Sequence, residues 1–292
     1  MPKIHNDIRP YSGMMSFPWL EFAGEFTPEE YYADTHYLSH SMLRNGYDNP
    51  EELALQFAGW RNPSSEGEAL GMGRRFHLAL LQPEVYNETI LVVDDDSICA
   101  EIGGAKPRAT NKYKEWMEQV EKEALRSGQT IIDIAEHQLH QAMVSRVMSV
   151  PHIRLLLDDT LREQVVTGIH QGIPTKGLID CTDGINYVLD VKRVHLKKHL
   201  RGYRFEGLQK YIDMMDYDSQ LWSYANFIGA DSAYILFVPD EYPHTPCLVT
   251  LSKDTLHAGK LKYDAMFHEV MSSFNTNTMT LADVPFSVNM TV

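Results

Sequence analysis

Apolar and polar positions divide the chain into two halves of different period. Up to about residue 150 the apolar residues recur at helical spacing. "THYLSHSMLRNG" (35–46) predicts a short helix with Ser39 or Ser41 as N-cap and Gly46 as its stop. "NPEELALQFAGW" (49–60) predicts a second, with Pro50 in its first turn. Across 64–86 apolar residues stand at 70, 72, 76, 80 and 81, a helical pattern ended by Pro83. "ETILVVDDD" (88–96) reads as a strand stopped by acids. Residues 111–127 form a polar helix stopped by Gly128, and 130–150 another closed by Pro151.

Beyond residue 160 the pattern changes to strands: "EQVVTGIH", "TKGLIDC", "INYVLDVKRV", "SAYILFVPD" and "CLVTLS". Among them "SQLWSYANFIG" (219–229) reads as a helix capped by Ser219 and stopped by Gly229. The expected architecture is α/β (α+β mixed): a central mixed sheet flanked by helices, with a helical N-terminal half. No linker or internal repeat divides it. One domain over 1–292 is expected: an irregular 1–30, a mainly helical 31–150 and a strand-rich core at 151–292.

Composition narrows the classes. With 43% hydrophobic and 23% charged residues in 292, the chain has the make-up of an ordinary globular protein. No apolar run approaches the roughly 18 residues of a membrane span. The N-terminus lacks a secretory h-region, so a cytoplasmic protein without a membrane partner is expected. Three widely spaced cysteines (Cys99, Cys181, Cys247) form no CxxC zinc site and argue against a four-cysteine cluster. The 14 methionines are scattered, as core filler is.

Net charge is −14, so nucleic acid could be held only through a local basic strip. One runs from Lys192 to Arg204, with six Lys/Arg (Lys192, Arg193, Lys197, Lys198, Arg201, Arg204), His195 and His199, and no acid. The plain alternative is a solvated charged face.

The strip follows "GLIDCTDGINYVLDVKR" (177–193). Asp190 and Lys192 lie two apart on a strand and leave the same face of an otherwise apolar segment. Two such charges are costly unless paired, metal-bound or at an open end of the sheet. A three-residue loop Thr182–Asp183–Gly184 would put Asp180 on that face too. In a flat ladder it would leave Asp180 and Asp190 about 13 Å apart along the strand. A shared ion then needs strong twist, a bulge or a wider loop. Carboxylates gathered around Mg²⁺, with Mn²⁺ able to substitute, are what phosphodiester hydrolysis requires. A neighbouring ammonium orients water and offsets phosphate charge.

These residues lie among others in a recognisable order. Gly73, His77, Leu80, Leu81, Pro83 and Glu84 precede Asp180, then Asp190 and Lys192, then Tyr217, Gln220 and Tyr224. Over residues 30 to 240 this resembles the exodeoxyribonuclease VIII branch of the PD-(D/E)xK nucleases, phage recombination exonucleases more distantly related to lambda exonuclease and the RecB nuclease domain. Two departures are Arg193, where the branch usually has threonine, and Gly177–Leu178, where an arginine usually precedes the first aspartate.

The resemblance implies a restriction-endonuclease-like core. Asp180 and Asp190 would hold the metal, with the Val191 carbonyl and His77 as further ligands. Lys192 would orient water or contact the phosphate. Gln220 and Tyr224, on one helix face, would meet the DNA end near the metal. Glu163 would help through a water. Arg193, Lys197, Lys198, Arg201 and Arg204 would contact DNA. It further implies 5′→3′ resection of double-stranded DNA ends for phage-type recombination, a single-strand annealing partner and a ring-like homo-oligomer with a basic channel in an acidic exterior.

The alternatives are a single-strand or structure-specific endonuclease on the same core, and a silent DNA-binding module. The intact Asp180, Asp190 and Lys192 argue against the latter. "GMGRRF" lacks the third glycine and the preceding strand of a dinucleotide loop. No GxxxxGK[ST] is present. His137 and His140 lack an HExxH and are expected on an exposed face.

Overall fold

The computed structural model describes residues 28–57, 68–158, 160–196 and 205–276. Residues 1–27 and Lys197, Lys198, Arg201 and Arg204 lie outside them.

The first half is helical, as the periodicity predicts. A short α1 (Pro28–Ala33) leads through β1 (Leu38–Ser39) into α2 (His40–Asp48) and α3 (Pro50–Phe57). Ser39 caps α2 by accepting the Met42 N–H at 3.2 Å. Gly46 is not the stop expected there: α2 continues to Asp48, and a side chain at 46 would collide with Leu53 of α3. Its role is close helix approach. Then follow α4 (Glu68–Leu81), α5 (Pro83–Thr89), β2 (Ile90–Val93), α6 (Asp95–Ile102) and α7 (Asn111–Ser127). Gly128 ends α7 in the left-handed region at φ +68°.

The helix expected over 130–150 divides. Thr130–Asp133 is β3, paired in parallel with β2, and α8 (Ile134–Met148) begins behind the Asp133 carboxylate, which accepts the Glu136 N–H at 2.7 Å. Pro151 closes nothing; it opens α9 (Pro151–Asp158) at a first turn that needs no proline N–H.

The second half forms the main sheet: β4 (Leu161–His170), β5 (Ile173–Thr182), β6 (Tyr187–Val194), β7 (Ser232–Pro239) and β8 (Cys247–Thr250). Three helices accompany it: α10 (Phe205–Met214), α11 (Tyr217–Ile228) and α12 (Lys253–Thr276). Sheet order is β1-β5-β6-β7-β8, with β4 against the other side of β5. The β6–β7 and β1–β5 pairs are parallel and the rest antiparallel, so the sheet is mixed as expected. Asp216, not Ser219, is the residue before α11; it takes left-handed φ and makes no side-chain cap, while Ser219 lies buried inside the helix.

Two apolar layers enclose the sheet. Leu189 and Val191 of β6 join Phe76 and Leu80 of α4, Met143 and Val147 of α8 and Ile153 of α9. Val188 and Val194 join Tyr211 of α10 and Leu221 and Tyr224 of α11 on the opposite side. Each fully buried Leu, Val or Phe is worth about 1.5–3 kcal/mol of transfer free energy. Alternation along β6 therefore turns Asp190 and Lys192 toward α10 and α11.

His140, expected on an exposed face, is fully buried against Phe76 and Tyr86. The Tyr86 hydroxyl lies 3.2 Å from His137 Nδ1 and 3.4 Å from His140 Nδ1. The helix packs through that face because α5 covers it.

Candidate active site

The β5–β6 connection determines where the two aspartates stand. It spans Asp183–Asn186, longer than the three-residue loop expected. The Asp183 carboxylate gathers the N–H groups of Ile185, Asn186 and Tyr187 at 3.0, 2.7 and 3.2 Å. Gly184 takes φ +86°. The wider turn puts Thr182 opposite Val188 and Cys181 opposite Leu189. Continued by one residue, that register sets Asp180 opposite Asp190, with no 13 Å offset.

Regular pairing of β5 with β6 stops there. Farther along, β5 pairs with β1 at Thr175 and Lys176 instead. The strands part, and Asp180 Oδ2 accepts the Val191 N–H at 2.6 Å. A carboxylate thus occupies a place in the backbone ladder.

On the other side, β4 and β5 are joined by Gln171–Gly172, both at positive φ, the two-residue turn that suits twisted strands. Its register brings Glu163 opposite Asp180, at a break in the ladder where Glu163 takes φ +49°. Such strain in a non-glycine residue costs about 1–3 kcal/mol and gathers at functional sites. Three adjacent strands therefore carry Glu163, Asp180 and Asp190 in a row across the sheet.

From α4, His77 Nδ1 comes within 3.6 Å of Asp180 Oδ2. One ligand atom from each of His77, Glu163 and Asp180 falls within 4.8 Å of the others. Lys192 Nζ lies 2.9 Å from Asp190 Oδ1 and 2.7 Å from Oδ2. Only Oδ1 has hydrogen-bond geometry; Oδ2 is buried without a hydrogen bond. The Tyr217 ring stands 4.9 Å from Lys192 Nζ and confines the ammonium from above.

The electrostatics follow from this crowding. Burial, then the neighbouring Asp180 and Asp190 carboxylates, push Glu163 up to about 8. Burial lifts Asp180 and Asp190 to about 6 each, against the pull of Lys192 on both. Burial alone would lower the Lys192 ammonium, but Asp190 and Asp180 hold it above its ordinary value, so it stays charged. Burial, reinforced by Lys192, lowers His77 to about 4, leaving a neutral ring with a lone pair to offer at pH 7. The protons are shared by the set of carboxylates rather than owned singly.

A divalent cation fits this donor set. Hard carboxylate oxygens converge with one neutral imidazole, one buried oxygen lacks a donor, and a single ammonium cannot balance three carboxylates. His77, Asp180 and Glu163 would hold it, with Asp190 across the opened ladder.

Of the residues singled out in the sequence, His77, Asp180, Asp190, Val191 and Lys192 meet here. Gln220 Nε2 donates to the Tyr224 hydroxyl at 2.8 Å, and Tyr224 is buried. Its ring covers Gly177, where an added Cβ would lie 2.9 Å from a ring carbon. Burial first, then Tyr31, Asp190 and Asp180, raise the Tyr224 phenol, while Gln220 is only half-buried.

Arg193 departs from expectation. Instead of extending toward DNA it pairs with Asp240 at 2.6 Å and is mostly buried. The acid-free run read from the sequence acquires acids from the end of β7. Glu163, expected to help through a water, stands within ligand distance of His77 and Asp180. Counting back through the Gln171–Gly172 turn would have found it opposite Asp180.

The family described as PDDEXK-like domain of unknown function (DUF3799) matches residues 39–279. The chain belongs to that family. It is thereby a member of the PD-(D/E)xK nuclease superfamily. Among solved structures, a candidate exonuclease from Eubacterium rectale is 14% identical, with a TM-score of 0.57 over 87% of this chain and 88% of that one. At that identity the likeness is one of fold. A phage-related exonuclease from Haemophilus somnus (14% identity, TM-score 0.33, 64% and 96% covered) and an alkaline exonuclease from Laribacter hongkongensis (12%, 0.30, 70% and 95%) align more loosely. No curated protein matches the chain. Among the described residues, no helix is long and apolar enough to cross a membrane.

Proposed function

We propose that this protein is a divalent-metal-dependent deoxyribonuclease, an exonuclease that resects double-stranded DNA ends. The observation that carries this reading is the row Glu163, Asp180, Asp190 across three strands, with Lys192 beside it and His77 within 3.6 Å of Asp180. A bound Mg²⁺ would supply Lewis acidity and a water more easily deprotonated.

The residues supply the rest. Asp180 is held in place by the Val191 N–H, so its outward oxygen is pre-oriented. Lys192, charged and braced by Asp190 and Tyr217, is placed to hold the attacking water and to neutralise a phosphate oxygen. Glu163, whose carboxyl is raised by burial and by the neighbouring Asp180 and Asp190, would give up its proton when a cation takes the site. The neutral His77 adds a ligand without adding charge.

Action on ends, 5′→3′ polarity, Mg²⁺ as the working ion and a role in phage-type recombination are part of this reading. They rest on the motif resemblance and, for an exonuclease, on the name of the Eubacterium rectale relative. A ring-like assembly, an annealing partner and a cytoplasmic setting rest on the resemblance too. The net charge of −14 favours enclosure of DNA over an open basic surface.

The test is to incubate linear and closed-circular duplexes with Mg²⁺, beside Asp190→Ala and Lys192→Ala. Linear DNA should be degraded, circles spared and both variants inactive. Nicked circles would point to an endonuclease; binding without turnover would point to a silent module. End-labelled duplexes would test the polarity.

A further inference from the structure

The rim of the site is built from two elements that share no sequence neighbourhood. On α4, Gly73 and Arg74 precede His77 by four and three residues, so both stand on the face that His77 turns to Asp180. Among the described residues nothing comes within 4 Å of a Cβ built at Gly73. That space opens beside His77, itself only half-buried. Arg75, one residue on, turns inward to the Glu136 carboxylate of α8, with Nε 2.5 Å from Oε1. Arg74 turns outward, and its guanidinium lies 5.3 Å from the centre of the Tyr32 ring.

Tyr32 belongs to α1, which is anchored with unusual care for so short a helix. The ammonium of Lys176, buried on β5, bonds the Tyr31 carbonyl at 2.7 Å, the Asp34 carbonyl at 2.8 Å and the Asp34 carboxylate at 2.9 Å. The same ammonium lies 4.7 Å from the Tyr31 ring centre. Tyr31 meets Tyr32 edge to face at 5.3 Å. Tyr32 is thus seated on a fixed base, yet remains 42% exposed. Part burial raises its phenol and Arg74 pulls it back, while Glu163 and Asp180 are near enough to raise it further.

We propose that Tyr32 and Arg74 form a nucleotide platform at the mouth of the carboxylate site, where the terminal base of a DNA strand stacks while the adjoining phosphate enters over Gly73. This rests on the nuclease reading above and names the group that seats its substrate. An acidic centre repels a polyanion, so entry needs a cation at the rim and an aromatic face indifferent to base identity. Stacking on an aromatic residue contributes about 1–3 kcal/mol per base, whichever base it is. An arginine over the ring is the usual companion of such a platform.

The test uses short duplexes carrying 2-aminopurine at the terminal position, with Ca²⁺ replacing Mg²⁺ to slow cleavage. The wild type and Tyr32→Phe should quench the fluorophore; Tyr32→Ala should not, and should bind about five- to 150-fold more weakly. In Mg²⁺, Tyr32→Ala and Arg74→Ala should raise KM more than they lower kcat, with melting temperatures near wild type. Cleavage by the wild type with unchanged quenching, affinity and KM in both variants would remove the platform alone. Binding and quenching that depend on Tyr32, without cleavage by the wild type, would keep the platform and remove the nuclease. A wild type that binds no DNA would remove both.

Discussion

Among the described residues, two clusters bring an imidazole and two carboxylates within 4.8 Å: His77, Glu163 and Asp180, and, at the far end of β6, His195, Asp240 and Glu241. On paper each could hold a metal. In the second, Arg193 reaches Asp240 at 2.6 Å, His195 lies 2.9 Å from the same carboxylate, and the Leu196 N–H donates to Glu241 at 2.7 Å. Its acids already have donors and are half-buried. In the first, burial is deeper, Asp190 adds another negative group, and Lys192 is the ammonium beside them. The difference is one of balance: a cluster whose acids outnumber its donors is costly to maintain unless a cation arrives.

The contrast is broken most directly by ligand removal. Asp180→Asn and Asp190→Asn should weaken Mg²⁺ binding, followed by calorimetry, beyond the roughly 10- to 100-fold typical of losing an outer partner. Asp240→Asn should leave it within about twofold. Equal losses at both clusters would erase the distinction.

A smaller effect concerns protons. With Glu163 near 8 and Asp180 and Asp190 near 6, the metal-free site is partly protonated at neutral pH. Mg²⁺ binding should therefore release protons and strengthen as pH rises from about 6 to 8. Calorimetry in buffers of different ionisation enthalpy measures that release. Glu163→Gln should reduce it and Asp240→Asn should not.

The smallest effect is on stability. Glu163 titrates higher in the folded protein than in the unfolded chain, so folding is favoured while it is protonated. That advantage fades as pH climbs from about 4.5 to about 8. Glu163→Gln should gain over wild type across that window and level off above it, reaching about 3 °C or more in metal-free protein. A difference independent of pH would mean that neither burial nor the Asp180 and Asp190 carboxylates raise Glu163.

Much of the fold was legible from local pattern. The α7 boundaries, the strands of the second half and Gly229 after α11 follow from periodicity and capping, because short-range sterics and hydrogen bonds decide them. Where that pattern misled, partners from elsewhere intervened. Residues 130–133 left the helix to pair with β2, Gly46 was kept by Leu53, and His140 was buried under α5.

The site divides in the same way. Asp190 and Lys192 on one face, and Gln220 and Tyr224 on one helix face, were readable because strand alternation and helix turns are local rules, whereas Asp180 and His77 were singled out by the motif resemblance. Tertiary structure alone decided that Asp180 stands across from Asp190, that Glu163 completes the row, that Arg193 is spent on Asp240 and that Tyr32 reaches Arg74. Each depends on how far a loop opens or which segment packs alongside. Those outcomes minimise free energy over the whole chain, and no window of residues contains them.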